Sequence, residues 1–256
     1  MNIVSGFADV SLLQLLLVAG VALFASIVGG LAGYGTGALM PLVLVPLVGA
    51  EPVVPIIAIS SIFTNLSRAA AYLRHADRRR ALIVILAAAL TTALGAYGYT
   101  RLSNAGAALV IGTMLIASVP LRRLARRRNV RIADTGLGVG AVGYGALVGG
   151  TSGSGVILLS LLMAAGLEGA AVIATDAVIS VATSIIKISV FGLAGVVTAQ
   201  VLAFALLIGA IALPGAFLAR AFVERMPVHF HTAILDVAVI AGGLVMISSA
   251  LRSFFG

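Results

Sequence analysis

Two glycine-rich stretches, Gly33-Tyr34-Gly35-Thr36-Gly37 and Gly150-Thr151-Ser152-Gly153-Ser154-Gly155, interrupt otherwise apolar sequence. Glycine allows positive φ and close backbone approach. Non-helical backbone at membrane depth survives only where protein or a water-filled cavity satisfies it. A short apolar run restarts near Ala38 and again near Val156, so each break predicts a short helix. Its first unpaired N–H groups and its positive end, roughly half a charge, would point toward the membrane interior. Two such ends converging make an anion site, with the Thr36 and Ser154 hydroxyls as further donors. The bland alternative is that the small residues only let helices pack closely. Their recurrence at corresponding places in two halves favours the site, because paired interruptions of this kind mark the binding site of secondary transporters. From the breaks, Gly35, Thr36, Gly37, Ser152, Gly153, Ser154 and Gly155 are expected to bind substrate.

A long apolar segment with polar residues along one side follows each break. In the first, Ser60, Thr64 and Arg68 recur at i, i+4 and i+8, with Ser61 and Asn65 beside them. In the second, Asp176, Ser180, Thr183, Ser184 and Lys187 share one helical face. Ser and Thr in membrane helices often bond only their own backbone, but an ionisable residue within a span costs at least ~2.5–3.5 kcal/mol and marks a pathway or a paired network. Thr64, Asn65, Arg68, Ser180, Thr183, Ser184 and Lys187 therefore join the candidate substrate site. Arg68 could instead snorkel to the nearby basic loop. Asp176 lies ~16 Å of helix from Lys187, so it reads as a coupling-ion site for a proton or cation, or as the partner of a group on another helix. Asp236 reads as interfacial.

Gly150-Thr151-Ser152-Gly153 also spells the G-x-S-G of intramembrane serine proteases, a chemistry that needs a general base beside the serine. His75, His229 and His231 are the only histidines, and all fall in loops or at span ends. No catalytic residue is assigned, the histidines are too sparse for a metal site, and no cofactor is expected.

The composition is 61% hydrophobic and 9% charged, with a mean hydropathy of +1.21. Soluble domains are roughly 45–50% apolar and ~25% charged. A span needs about 20 mostly apolar residues, and such runs occur near 52–73, 81–99, 105–121, 170–194, 199–219 and 232–251. The runs 10–48 and 134–166 are too long for one crossing and contain the glycine breaks. The first run has no basic flank or cleavage site of the signal-peptide kind and is expected to be retained. The absence of cysteine excludes disulfides. The net charge of +8 is concentrated in two clusters, Arg74, Arg78, Arg79 and Arg80, then Arg122, Arg123, Arg126, Arg127, Arg128 and Arg131. Short basic loops beside spans read as cytoplasmic, with anionic lipid headgroups rather than nucleic acid as their partner.

Two spans separate these clusters, so both can lie on one side, and Arg220 and Arg225 read as cytoplasmic too. The run 134–166 must then enter and return on the inner side as a hairpin, and by repeat symmetry 10–48 does so from the outer side. Each half becomes a broken hairpin plus three crossings, and an odd number of crossings inverts one half against the other. The expected architecture is an all-α polytopic membrane protein of two inverted repeats, 1–131 and 132–256, in the cell membrane. One polar stripe could instead be absorbed by a homodimer interface.

The Gly-rich stretch followed by Pro41 and Gly49, the Tyr72-Leu73-Arg74-His75-Ala76-Asp77-Arg78 helix exit, and the GALVGGTSGSG…GLEGAAVIAT pattern resemble the sulfite exporter TauE/SafE family over nearly the whole chain. The resemblance implies two inverted four-helix units and secondary transport of sulfur-containing anions such as sulfite, thiosulfate or sulfoacetate by alternating access. A passive anion channel is the alternative within that class. The chain departs from the family where Thr36, Ser152 and Ser154 interrupt consecutive glycines, and where Asp176 stands in place of a small or hydroxyl residue.

Overall fold

The computed structural model describes residues 3–8, 10–32, 35–127, 131–215, 217–218 and 228–255. The secondary structure among them is helical. The first half contains α1 (Leu12–Ala32), α2 (Thr36–Val48), α3 (Val53–Tyr72), α4 (Arg78–Tyr99) and α5 (Asn104–Arg127). The second contains α6 (Asp134–Gly150), α7 (Gly155–Ala164), α8 (Ala170–Leu193), α9 (Ala199–Ala212) and α10 (Val228–Phe255). Each half thus opens on a helix, a glycine break and a shorter helix, and three further helices follow. Helices α1, α3, α4, α5 and α8 are long and apolar enough to cross a bilayer, while α2, α7 and α9 are shorter apolar helices.

Local chemistry explains the boundaries. Asp77 caps α4 by accepting from the Arg80 amide at 3.0 Å, and Thr198 caps α9 by accepting from Val201 at 3.2 Å, each satisfying an amide left without an intrahelical acceptor. The expected crossing at 199–219 is interrupted: α9 stops at Ala212 and Leu213–Pro214 form a turn. Proline has no N–H to continue the ladder. Two carbonyls at the break take hydroxyl donors from other helices, Ala212 from Ser26 of α1 and Leu213 from Ser67 of α3 at 2.7 Å. The helix expected as a crossing at 232–251 extends over Val228–Phe255, with a shorter apolar part at Val239–Ser253.

Helix α3 packs on α8, and α5 on α10. Helix α4 packs on α6 and α8, as α9 does on α1 and α3; α7 meets α5, as α2 meets α10. Exchanging each helix for its counterpart in the other half maps these contacts onto one another, whereas the α6–α8 and α2–α5 contacts have no counterpart of the same extent. The α4–α6 contact depends on missing side chains. A Cβ on Gly145 would stand 2.5 Å from the Ala88 carbonyl, and one on Gly149 2.8 Å from the Ala96 amide, so only glycine lets these backbones approach so closely. On the far side of α4, Leu82, Leu86, Leu90 and Leu94 are all more than half exposed, while Ala81, Val84, Ala88 and Thr92 are buried. An exposed leucine stripe backed by a small-residue face is what a helix between protein and lipid requires.

At one end, Arg79 bonds Asp134 at 2.8 Å, and Arg80 lies 3.2 Å from Asp77 and 3.7 Å from Asp134. Part of the first basic cluster therefore ties the start of α4 to the start of α6, while Arg74, Arg78 and Arg131 are exposed. The side chains of Arg122, Arg123, Arg126, Arg127, His229 and His231, and all of Gly33, Tyr34, Arg128, Arg220 and Arg225, lie outside the described residues. Asp236, expected at the interface, is buried on the face of α10 that turns into the protein.

Candidate functional site

The two short helices begin where the sequence breaks, α2 at Thr36 and α7 at Gly155. Pro41 lies one turn into α2 and has no N–H, so the Gly37 carbonyl lacks its ordinary intrahelical donor. The Ser152 hydroxyl donates to that carbonyl at 2.6 Å. A proline in one half thus frees the acceptor by which the two tips are joined. The junction is tight: a Cβ on Gly37 would lie 3.2 Å from the Gly153 amide, and Gly153 itself adopts φ +88°. Neither N-cap, Gly35 or Ser154, contributes a side-chain cap. The leading amides of both helices are therefore without the side-chain acceptor that would otherwise compete with a bound anion.

Helices α3 and α8 supply the facing walls. Ile57, Ser61, Thr64, Asn65 and Arg68 on α3 have the same spacing as Asp176, Ser180, Thr183, Ser184 and Lys187 on α8, and all ten line one cavity of about 120 Å³. The walls touch through Ser61 Oγ and Ser184 Oγ, 2.8 Å apart. Position by position the stripes carry like chemistry, a hydroxyl, a hydroxyl, a small polar group and a cation, except at the first, where Ile57 answers Asp176.

That exception decides the electrostatics. Arg68, buried rather than snorkelling, donates from Nη2 to Asp176 Oδ2 at 2.8 Å and to Asn65 Oδ1, while Nη1 reaches the Gly29 carbonyl at 3.4 Å. Of the two expectations for Asp176, it meets the second: it is the partner of a group on another helix. Its Oδ1 is buried without a hydrogen-bond partner among the described residues. Lys187 is 6% exposed and no hydrogen-bond or ion-pair partner faces it among the described residues. A buried ammonium in that condition is a cost to the fold that a bound anion would offset.

The structure brings the sequence candidates together. Gly35, Thr36, Gly37, Ser152, Gly153, Ser154 and Gly155 come from the tips, Thr64, Asn65 and Arg68 from α3, and Asp176, Ser180, Thr183, Ser184 and Lys187 from α8; all line the cavity. Ser60, placed on the stripe by spacing, does not; its hydroxyl bonds the Ile57 carbonyl at 3.3 Å. Sequence reasoning missed Ser26, Tyr144 and Ile57, which also line it. Tyr144 had one available signal, being the only aromatic residue in the glycine-rich α6.

The Ser152 hydroxyl is engaged by the Gly37 carbonyl and hydrogen-bonds no base among the described residues, and no metal-type cluster of acidic or histidine residues occurs among them. No curated protein and no solved structure matches the chain. Residues 18–246 match the family described as sulfite exporter TauE/SafE. With paired helix tips, a buried cation and a stripe of exposed leucines around that match, this chain belongs to the sulfite exporter TauE/SafE family, a family of multi-pass membrane transporters for anions.

Proposed function

We propose that this chain is a secondary transporter of small sulfur-containing anions, sulfite or an organosulfonate such as sulfoacetate, working by alternating access across the cell membrane. The observation that carries this reading is Lys187, a buried ammonium without a counter-ion among the described residues, lining the cavity between two helix N-termini. In the proposed complex the anion's oxygens accept from the leading amides of α2 and α7 and from the hydroxyls of Thr36 and Ser154. Lys187 supplies the balancing charge. Thr64, Thr183, Ser180 and Ser184 complete the donor set from the walls. The two halves, 1–131 and 132–256, are inverted in the membrane in this reading, and rocking of one against the other about the α3–α8 contact exposes the cavity to each side in turn. Anionic headgroups sit against the exposed arginines.

The test is a thermal-shift series on the purified protein against sulfite, thiosulfate, sulfoacetate and simple carboxylates. A ligand present at a hundred times its Kd stabilises by about 2.7 kcal/mol. Lys187→Met is expected to remove the shift produced by the best anion; an undiminished shift would take Lys187 out of the site and remove the main support for the reading. In proteoliposomes, flux that is identical with and without proton or sodium gradients would make the protein a passive channel.

A further inference from the structure

The charge in the cavity is unequally divided between the two walls, and the inequality comes from one residue. The stripes match at four positions and differ at the fifth, where α3 has Ile57 and α8 has Asp176. A cavity built from two copies of the α3 stripe would hold two unpaired cations. In this chain Asp176 takes one of them, Arg68, into a buried ion pair at 2.8 Å. For Lys187, at the position corresponding to Arg68, the position that would correspond to Asp176 holds Ile57 in place of an acid. Arg68, Asp176 and Lys187 are the charged groups among the described lining residues, and they leave one net positive charge.

We infer that Asp176 sets the charge of the anion the cavity accepts at minus one. Resting on the transport reading above, this makes Asp176 a specificity-determining residue: it touches Arg68 and acts on the substrate by removing that cation from the account. The physical reason is that formal charge buried in a small cavity is stable only when balanced. A singly charged oxyanion of sulfonate type neutralises Lys187 and leaves the Arg68–Asp176 pair intact. A doubly charged anion of the same size must either remain half-compensated or pull Arg68 away from Asp176, stranding a buried carboxylate that already has one oxygen without a partner. The amide ends of α2 and α7 carry partial charges only, roughly half a unit each, and their hydrogen bonds are available to either anion. For an oxyanion that exists in two protonation states, the cavity selects the singly charged form; of the anions named above this narrows the reading to sulfite taken as hydrogen sulfite and to organosulfonates without a second charge, and disfavours the dianions thiosulfate and sulfoacetate.

The inference is testable with two tetrahedral probes of similar size, methanesulfonate with one charge and sulfate with two, titrated against the purified full-length protein in a chloride-free buffer at fixed pH. Wild type is expected to prefer methanesulfonate by about ten-fold or more. Asp176→Asn, which raises the net charge to two, is expected to reverse the order. The double variant Arg68→Gln with Asp176→Asn removes the pair together, restores a single charge and returns the preference to methanesulfonate; a role for Asp176 in packing alone would not produce that reversal and return. Ile57→Asp reaches the same question without disturbing the pair. It puts a carboxylate into the cavity at the position that corresponds to Asp176, as a counter-ion for Lys187, and is expected to abolish binding of both probes, so the inference stays falsifiable should Asp176→Asn not survive extraction. If wild type binds neither probe, this inference and the anion-transport reading both fall. If Lys187→Met abolishes binding while Asp176→Asn and Ile57→Asp leave the methanesulfonate-to-sulfate ratio unchanged, the site stands and the charge rule alone is overturned.

Discussion

Arg68 and Lys187 are both buried cations on corresponding faces of two helices, yet their removal should have opposite effects on stability. Arg68 is held by Asp176, Asn65 and the Gly29 carbonyl. Truncating it strands the Asp176 carboxylate, and breaking a buried pair by removing one partner costs about 3–5 kcal/mol. Lys187 has no such partner among the described residues, so its burial is a cost the fold carries. Lys187→Met, which keeps the length and loses the charge, should stabilise the ligand-free protein by on the order of 1 kcal/mol or more. Thermal unfolding in detergent, followed by light scattering, checks both: Arg68→Met is expected to lower Tm and Lys187→Met to raise it. A lower Tm for Lys187→Met would mean that the ammonium stabilises the fold rather than waiting for a ligand.

At the level of elements, glycine has two different uses, and they separate cleanly by substitution. Gly149 on α6 faces the α4 backbone, so Gly149→Ala must force the helices apart, whereas a Cβ on Gly143 of the same helix meets nothing within 4 Å. Gly143→Ala should stabilise by up to ~1 kcal/mol through helix propensity alone, and Gly149→Ala should destabilise by about 1–3 kcal/mol through overpacking. Comparable Tm values for the two variants would refute the close α4–α6 approach. The helix breaks themselves were legible in sequence because glycine clusters and apolar run lengths are local properties. Both polar stripes were legible for the same reason, since a 3.6-residue period reveals a shared face without knowledge of what it meets. The Arg68–Asp176 pair was not, because it depends on the rotation of α3 against α8, which no single-helix period contains. Ile57 escaped because an isoleucine in an apolar helix carries no signal until its counterpart is known. The interruption at Pro214 was masked by continuous hydrophobicity, and the burial of Asp236 was not legible because position along a helix does not report which face is buried.

For the whole molecule, charge and hydroxyls gather at the cavity, buried aliphatics such as Leu44, Ile111 and Leu158 pack around it, and a further set of large aliphatics is exposed on the outside. The stripe Leu82, Leu86, Leu90 and Leu94 is the sharpest case, because every member is exposed while the opposite face of α4 packs on α6 and α8. Helix α4 has 22 residues, about 33 Å at 1.5 Å per residue, enough to cross a ~30 Å hydrocarbon core. If the stripe faces lipid, the cost of a charge on it must depend on depth. Leu90, near the middle, should tolerate arginine badly, at about 2.5–3.5 kcal/mol on the insertion scale. Leu82, within a turn of Arg78–Arg80, should tolerate it with little loss, because the guanidinium can reach the headgroups. The yield of membrane-inserted protein for Leu90→Arg against Leu82→Arg measures the difference directly. Equal loss at both positions together with a change in oligomer size on gel filtration would reassign the stripe to a subunit interface, since a protein–protein contact is disrupted by a charge at either end while a bilayer discriminates between them.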